Sequence, residues 1–431
     1  MANVYLISGG GNWSNGAVWN TGTVPTSADD VFSNNFTVNV DVSFTVLSLR
    51  STASSPIVAG GSFLFNTAGV TGTVTSSSPL VPGATNMVQI TATTGTVTLS
   101  LGGDISPRAV GSDNLILYSG ACNFTITGGI NINGTFALAN ITTINKTSSG
   151  TITITGNLNG PSSVNTTCNT LFSNSGNTVV IGNIVGGSVA ANNRAINQSA
   201  GTLTVTGNVT GGQTVATTQG ILFSGTQLTV NGTVTGGTGA AAIDTTAPIN
   251  NINGNVTGGT VIGIFSSTAN IINVTGTVTA SASAPAISMT NANGQVYLNG
   301  NMVNVNGKMA IFAPIVWLDR TGTTSATFFT NGGSNRTLYS SDTVPNTPAA
   351  NNVRLGTIYG AGNSLAGTLA MPVAANTRNG VVYDNGTVGT ALFTTATLLS
   401  ELNSSSDPVA VRIRNAATPQ ILGELMEAFK R

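Results

Sequence analysis

The chain has 431 residues, of which only 6% are charged; 13 basic and 13 acidic side chains leave a formal net charge of zero, and there is no histidine. Ordinary globular domains carry about a quarter charged residues, so this balance argues against a nucleic-acid surface and excludes Ser-His-Asp triads and His-ligated zinc. The 40% hydrophobic content is too high for a disordered low-complexity chain, and no run approaches the ~18 apolar residues of a membrane span, so no membrane insertion is expected.

Residues 1–50 open with GNWSNGAVWNTGTVPTSADDV and pass into an alternating run in which Val38, Val40 and Val42 are separated by polar residues. That alternation predicts a half-buried strand. Trp13 and Trp19 are two of the three tryptophans. With Pro25 they are read as a cap over the first exposed edge of a strand stack, since an uncovered edge invites aggregation. Asp29-Asp30 before a strand reads as turn chemistry. The run Gly11-Asn12-Trp13, Trp19, Gly22, Pro25 and Asp29-Asp30-Val31 resembles the opening of many bacterial surface and phage β-helix proteins. The resemblance implies a fold start and no activity. The first residues, MANVYLISGGGNW, show neither the basic n-region nor the apolar h-region of a signal peptide.

Residues 51–320 carry the repeat. LTVTGNVTGG (203–212), LTVNGTVTGG (228–237) and NNINGNVTGG (250–259) are nearly one sentence written three times. Gly followed by Asn or Thr and an apolar residue recurs at Gly156, Gly182, Gly207, Gly232, Gly254, Gly276 and Gly300, at spacings of 26, 25, 25, 22, 22 and 24. A second apolar marker, from Leu171-Phe172 to Ala310-Ile311, keeps step with it. The period is too short for a propeller blade and lacks the leucine-rich-repeat signature. It predicts an all-β, parallel β-helix of about 22–26 residues per coil, with about three short strands per turn. Right-handedness is what the family default implies. Leu203, Val205 and Val209 are expected to stack on Leu228, Val230 and Val234, with Thr204 and Thr206 outward. Asn near the corners is expected to bond its neighbours above and below.

The search for chemistry finds little. Between residues 115 and 312 the one carboxylate is Asp244, whereas glycoside hydrolysis normally uses a pair ~5–10 Å apart. Asp244 reads as a solvated loop residue. Lys146, Arg194 and Lys308 are expected to lie several coils apart. No catalytic, cofactor-binding or metal-ligating residue is assigned, and no cofactor is expected. Cys122 and Cys168 read as two buried free thiols, their spacing asserting no disulfide. Outward Thr-x-Thr arrays on a solenoid can bind ice. The series Thr153/Thr155, Thr204/Thr206, Thr229/Asn231, Asn251/Asn253 and Asn273/Thr275 drifts to Asn and does not favour that reading.

Charge density rises near Trp317, Asp319-Arg320 and Arg336, which is read as the end of the solenoid. Residues 321–393 are expected to form a small β-rich module. Its string Val353-Arg354-x-Gly356-x-x-Tyr359-Gly360, then Leu365-x-Gly367-Thr368-Leu369-Ala370-x-Pro372, Asp384-Asn385 and Val388-Gly389-Thr390-Ala391 resembles a C-terminal module common in tailed-phage structural proteins. Residues 394–431 predict a short helical tail, with Asp407-Pro408 as N-cap and first turn. There Ile421, Leu422, Leu425, Met426 and Phe429 form one apolar stripe, suited to a threefold axis, a neighbouring subunit or the chain itself.

The resemblance implies a non-enzymatic virion structural protein of a tailed bacteriophage, most readily a tail-fibre or tail-spike component attaching to host-surface glycan. It implies a homotrimer in contact with other virion proteins, assembled in the host cytoplasm and extracellular after release. The alternatives are a capsid decoration or head-fibre protein, a polysaccharide depolymerase with an intersubunit site, and a bacterial surface adhesin.

Overall fold

The computed structural model describes residues 3–7, 9–83, 86–105, 114–131, 141–160, 168–188, 193–213, 218–303, 305 and 310–318, with the strands Thr337–Ser340, Ile358–Tyr359, Leu365–Ala366, Val382–Tyr383 and Thr387–Val388. The chain divides into two compact units, Met1–Pro345 and Asn346–Arg431. The first is a parallel β-solenoid, as the repeat predicts. Most coils contribute a strand to each of three faces; the coil of Val88–Ile90 and Thr96–Leu101 reaches the third face only through the bridge Ile105–Ile130. Sheet 1, with 13 strands, runs from Gly11–Asn12 to Ile311–Phe312. Sheet 2, also with 13 strands, runs from Phe44–Val46 to Thr337–Ser340. The third face begins as a four-stranded sheet, Asn3–Tyr5 to Leu80–Val81, and continues as an eight-stranded sheet, Ile130–Asn131 to Met302–Val303. Sheet 2 therefore keeps its register through Ser340, beyond the 320 boundary read from the sequence.

Coil length varies more than the clear repeat suggests. The register runs Thr98 to Thr125 (27 residues), Thr125 to Thr153 (28), Thr229 to Asn251 (22) and Tyr297 to Trp317 (20).

One coil cannot bury its own apolar face; stacking does it. Leu203 lies on Leu228, Val205 on Val230 and Val209 on Val234, all fully buried. Each such burial contributes about 1.5–3 kcal/mol before entropy is counted. The Asn ladder forms as expected. Asn157 Oδ1 accepts the N–H of Asn183 (2.9 Å), Asn183 that of Asn208 (2.9 Å), Asn208 that of Thr233 (2.9 Å) and Asn255 that of Thr277 (2.8 Å). A corner donor that cannot join a strand ladder is thereby satisfied by the coil next to it.

The aromatic start is built into the first rungs. Gly11–Asn12 pairs in parallel with Thr37–Asn39 and so begins sheet 1. Trp13 and Trp19 are fully buried, and Pro25 is buried. Trp13 stacks on Phe44 at 4.0 Å between ring centroids, and Trp19 meets Trp13 edge-on at 5.3 Å. Trp19 Nε1 donates to Trp13 O (3.1 Å). Val38 and Val40 point inward, but Val42 lies past the corner and is 41% exposed. In the second unit, Ile358–Tyr359 pairs antiparallel with Leu365–Ala366, and Val382–Tyr383 with Thr387–Val388. The helical tail expected at 394–431, with Ile421, Leu422, Leu425, Met426 and Phe429, lies outside the described residues.

Corner glycines admit no side chain. A Cβ on Gly207 (φ +149°) would lie 2.2 Å from the carbonyl oxygen of Gly182, its equivalent one coil earlier. Gly22 (φ +72°) has open space around it. Gly207→Ala should therefore lower unfolding stability by more than about 2 kcal/mol, because backbone must move. Gly22→Ala should cost about 1 kcal/mol, from left-handed backbone alone. Urea midpoints of the two variants check the contrast.

Candidate binding face

Alternation along sheet 2 sends most Val, Leu and Ile inward, and two of its outward columns run through many rungs. One column runs Thr71, Thr98, Thr125, Thr153, Val179, Thr204, Thr229, Asn251, Asn273, Tyr297 and Trp317. The other runs Thr73, Ser100, Thr127, Thr155, Ile181, Thr206 and Asn231. Neither column holds a charged side chain. The face changes chemistry along its length, from hydroxyls through amides to aromatic rings.

In the amide zone, Asn253 Nδ2 donates to Asn231 Oδ1 (2.7 Å) and Asn273 Nδ2 to Asn251 Oδ1 (2.8 Å). At the aromatic end, Tyr297 and Trp317 are parallel to within 4°, with ring centroids 5.6 Å apart. Tyr297 Oη and Trp317 Nε1 both donate to Gln295 Oε1 (3.0 and 3.2 Å). That shared acceptor fixes both rings, and Tyr297 remains 38% exposed. Tyr339 is the register partner of Trp317 on the following rung.

The sequence reading put Thr153, Thr204, Thr229, Asn251 and Asn273 in one column, as the register does, but left out the intervening rung Val179/Ile181. It missed the earlier rungs Thr71/Thr73, Thr98/Ser100 and Thr125/Thr127, because coils of 27 and 28 residues hide the period there. The strand strings TGTV, TVTLSL and NFTIT carry the signal. It also read Trp317 only as a marker of the solenoid's end and did not place it above Tyr297.

Sheet 1 presents a different surface. Asp244 is not a solvated loop residue: it lies in the strand Ile243–Thr245 and is half-buried. Its register partner is Leu222. Arg194 Nε donates to Gln219 Oε1 (3.0 Å), and Gln219 Nε2 reaches Asp244 Oδ2 (3.4 Å). The two charges, two coils apart, are thus joined through one amide. Burial pushes the Asp244 carboxyl above its ordinary range, with Arg194 and Gln219 pulling it back. Burial pulls the Arg194 guanidinium down, and Asp244 opposes that shift. The chain of contacts clamps three successive coils.

The acidic residues of the first coils hold turns. Asp29 Oδ2 accepts Thr26 N–H (2.7 Å) and its hydroxyl (2.8 Å). Asp30 pairs with Arg50 (3.2 Å) and accepts the Ser48 hydroxyl. Asp41 accepts Ser14 N–H (3.0 Å) and its hydroxyl (2.5 Å). Burial pushes the Asp41 carboxyl up, but these bonds outweigh it and hold it below the usual value. Among the described residues, no group of three or more Cys, Asp or Glu could hold a metal ion.

The interior holds one unusual cation. Lys146 is fully buried where sheet 1 turns into sheet 2, its Nζ donating to Ser175 O and lying 5.9 Å from the Tyr118 ring centroid. Tyr118 in turn donates to Cys122 O. Cys122 and Cys168 are both buried and in no disulfide. Burial pulls the Lys146 amine down to about 8 and pushes the Tyr118 hydroxyl up to about 12; it also raises the Cys122 thiol.

Unfolded Lys146 keeps its proton to its ordinary value of 10.5, whereas the folded chain releases it near 8. Above pH 8 the unfolded state therefore binds more protons, and stability rises with pH. Cys122 and Tyr118 act in the opposite direction, but only above their ordinary values of 9.0 and 10.0. Between pH 8 and 9 the wild type should gain about 1 kcal/mol relative to Lys146→Met. Paired urea titrations at the two pH values check this.

Comparison with known protein families, curated proteins and solved structures finds no match to this chain.

Proposed function

We propose that the chain is a non-enzymatic structural protein of a tailed-bacteriophage particle, a tail-fibre or tail-spike component that attaches to host-surface glycan. The observation that carries the attachment reading is the aromatic end of sheet 2, where Tyr297 and Trp317 are held parallel by Gln295. Tyr and Trp offer an apolar body with a polar tip, matched to the C–H faces and hydroxyls of sugars. The adjoining Asn273, Asn251 and Asn231 supply amide donors and acceptors without charge. A surface of this kind binds by contacts that salt does not screen. The virion setting rests on the C-terminal resemblance from Val353 to Ala391. Self-association as a homotrimer and contact with other virion proteins follow from the same analogy.

Binding of the purified full chain to host envelope polysaccharide tests the attachment reading. Trp317→Ala and Tyr297→Ala should each weaken it at least about tenfold, or about 1.4 kcal/mol, with little change between low and high salt. Undiminished binding by both variants would remove the assigned face. Release of oligosaccharide would overturn the non-enzyme reading. Antibody labelling confined to the heads of virions would overturn the tail assignment, and sedimentation at monomer mass would overturn the trimer.

A further inference from the structure

We propose that the hydroxyl zone of sheet 2, from Thr71 to Thr206, is an ice-binding face. This lies beyond the attachment role and uses different rungs of the sheet. On six successive rungs the outward pairs are Thr71/Thr73, Thr98/Ser100, Thr125/Thr127, Thr153/Thr155, Val179/Ile181 and Thr204/Thr206. Every position except Ser100 is β-branched. Such side chains are stiff at χ1, so their methyl groups stay fixed on the sheet. Val179 and Ile181 lack hydroxyls but preserve the branched shape, and Ile181 is 46% exposed.

The hydroxyls are available to water. Among the described residues, those of Thr71, Thr73, Thr98, Thr125, Thr153, Thr155, Thr204 and Thr206 bond no other group of the chain. Thr127 Oγ1 donates to Ser100 Oγ at 2.8 Å. All of these residues are half-buried or exposed. No charged side chain stands in either column to impose its own hydration shell.

The spacing is set by the fold. Rungs repeat every ~4.7–4.9 Å, and outward residues two apart on a parallel strand lie ~6.6 Å apart. The result is a two-dimensional grid of alternating hydroxyl and methyl groups, with repeats close to those of the oxygen lattice on a face of ice. Liquid water loses little on leaving the methyl groups, while the fixed hydroxyls hold waters at lattice positions. The drift to Asn that argued against this reading begins only at Asn231. Before it every rung except Val179/Ile181 carries a pair of hydroxyls, and the three rungs from Thr71 to Thr127 lengthen the hydroxyl run ahead of Val179/Ile181 from one rung to four. The longer amides of Asn251 and Asn273, bonded to each other at 2.8 Å, and the rings of Tyr297 and Trp317 end the grid, so the proposed face is bounded.

Thermal hysteresis and ice-recrystallisation inhibition by the purified full chain test the proposal. The wild type should show both. Thr125→Tyr and Thr204→Tyr each place a bulky ring on the grid at a different rung, and each should lose both effects while its far-UV circular dichroism stays that of the wild type. Asn273→Tyr, outside the zone, should keep them. Absence of hysteresis and inhibition in the wild type overturns the proposal. So does full activity in a folded Thr125→Tyr or Thr204→Tyr. If one of these variants fails to fold, the other decides. Loss of glycan binding in Trp317→Ala with ice activity intact would separate the two zones, so failure of either reading is read independently.

Discussion

The parallel backbone ladder that joins each coil to the next is the constraint on which everything else in the solenoid depends. Because the ladder keeps register, a side chain meets its own equivalents above and below: Val205 between Val180 and Val230, Gly207 against Gly182, Asn208 between Asn183 and Thr233. In the regular coils the core columns and the corner Gly and Asn stack like on like. An apolar residue gains from that arrangement. An amide gains too, since it both donates and accepts. A charge loses, because like charges directly opposite repel. The 6% charged content is therefore a consequence of the fold, and Thr and Asn take the places that Lys and Glu hold on other surfaces.

The exceptions obey the same rule. Arg50 meets Asp30 across one coil step rather than another Arg. Arg194 and Asp244 are separated by a coil that supplies Gln219 as an amide bridge. Among the described residues, Lys146 pairs with no carboxylate. It occupies an interior corner where Tyr118 precedes it and Ser173 follows in register, and it donates to a carbonyl of the next turn. Gln198, at the same corner position two coils beyond Lys146, donates to Ala200 O (2.7 Å) and Thr202 O (3.0 Å). The turn carbonyls need donors, and the position supplies an ammonium in one coil and an amide in another. The cost of the ammonium appears as its lowered proton affinity.

How much of this could be read from the sequence depended on loop length. Where coils are short, Gly and Asn return at nearly fixed intervals, and the core columns, the outward Thr and the Asn ladder all follow from the repeat. In the longer coils, the strings TGTV and NFTIT are the same strand written between irregular loops, so their place on the outward columns emerged only from the register. Asp244 was missed for a related reason. It follows five small or apolar residues, GAAAI, and precedes TTAP, and such flanks resemble a loop even though Ile243 stacks on Ile221 and Ile264. The Gln219 bridge was not legible at all, since one amide between two distant charges leaves no pattern. Trp13 and Trp19 stood out as two large rings beside a strand edge, but their burial in the first rungs, with Trp13 stacked on Phe44, came only from the structure.

Register also explains how one sheet can carry unlike chemistries without compromise. An outward position touches only its own column and its immediate neighbours, while the inward residues beneath it are mostly apolar whatever stands outside. Thr125 and Tyr297 both ride on buried apolar neighbours, Phe124 with Ile126 and Val296 with Leu298. The core does not register whether a hydroxyl or a ring lies above it. A column can therefore change from Thr to Asn to aromatic over successive coils at little cost in stability. The hydroxyl grid and the aromatic end are free to be shaped by what each meets in solution.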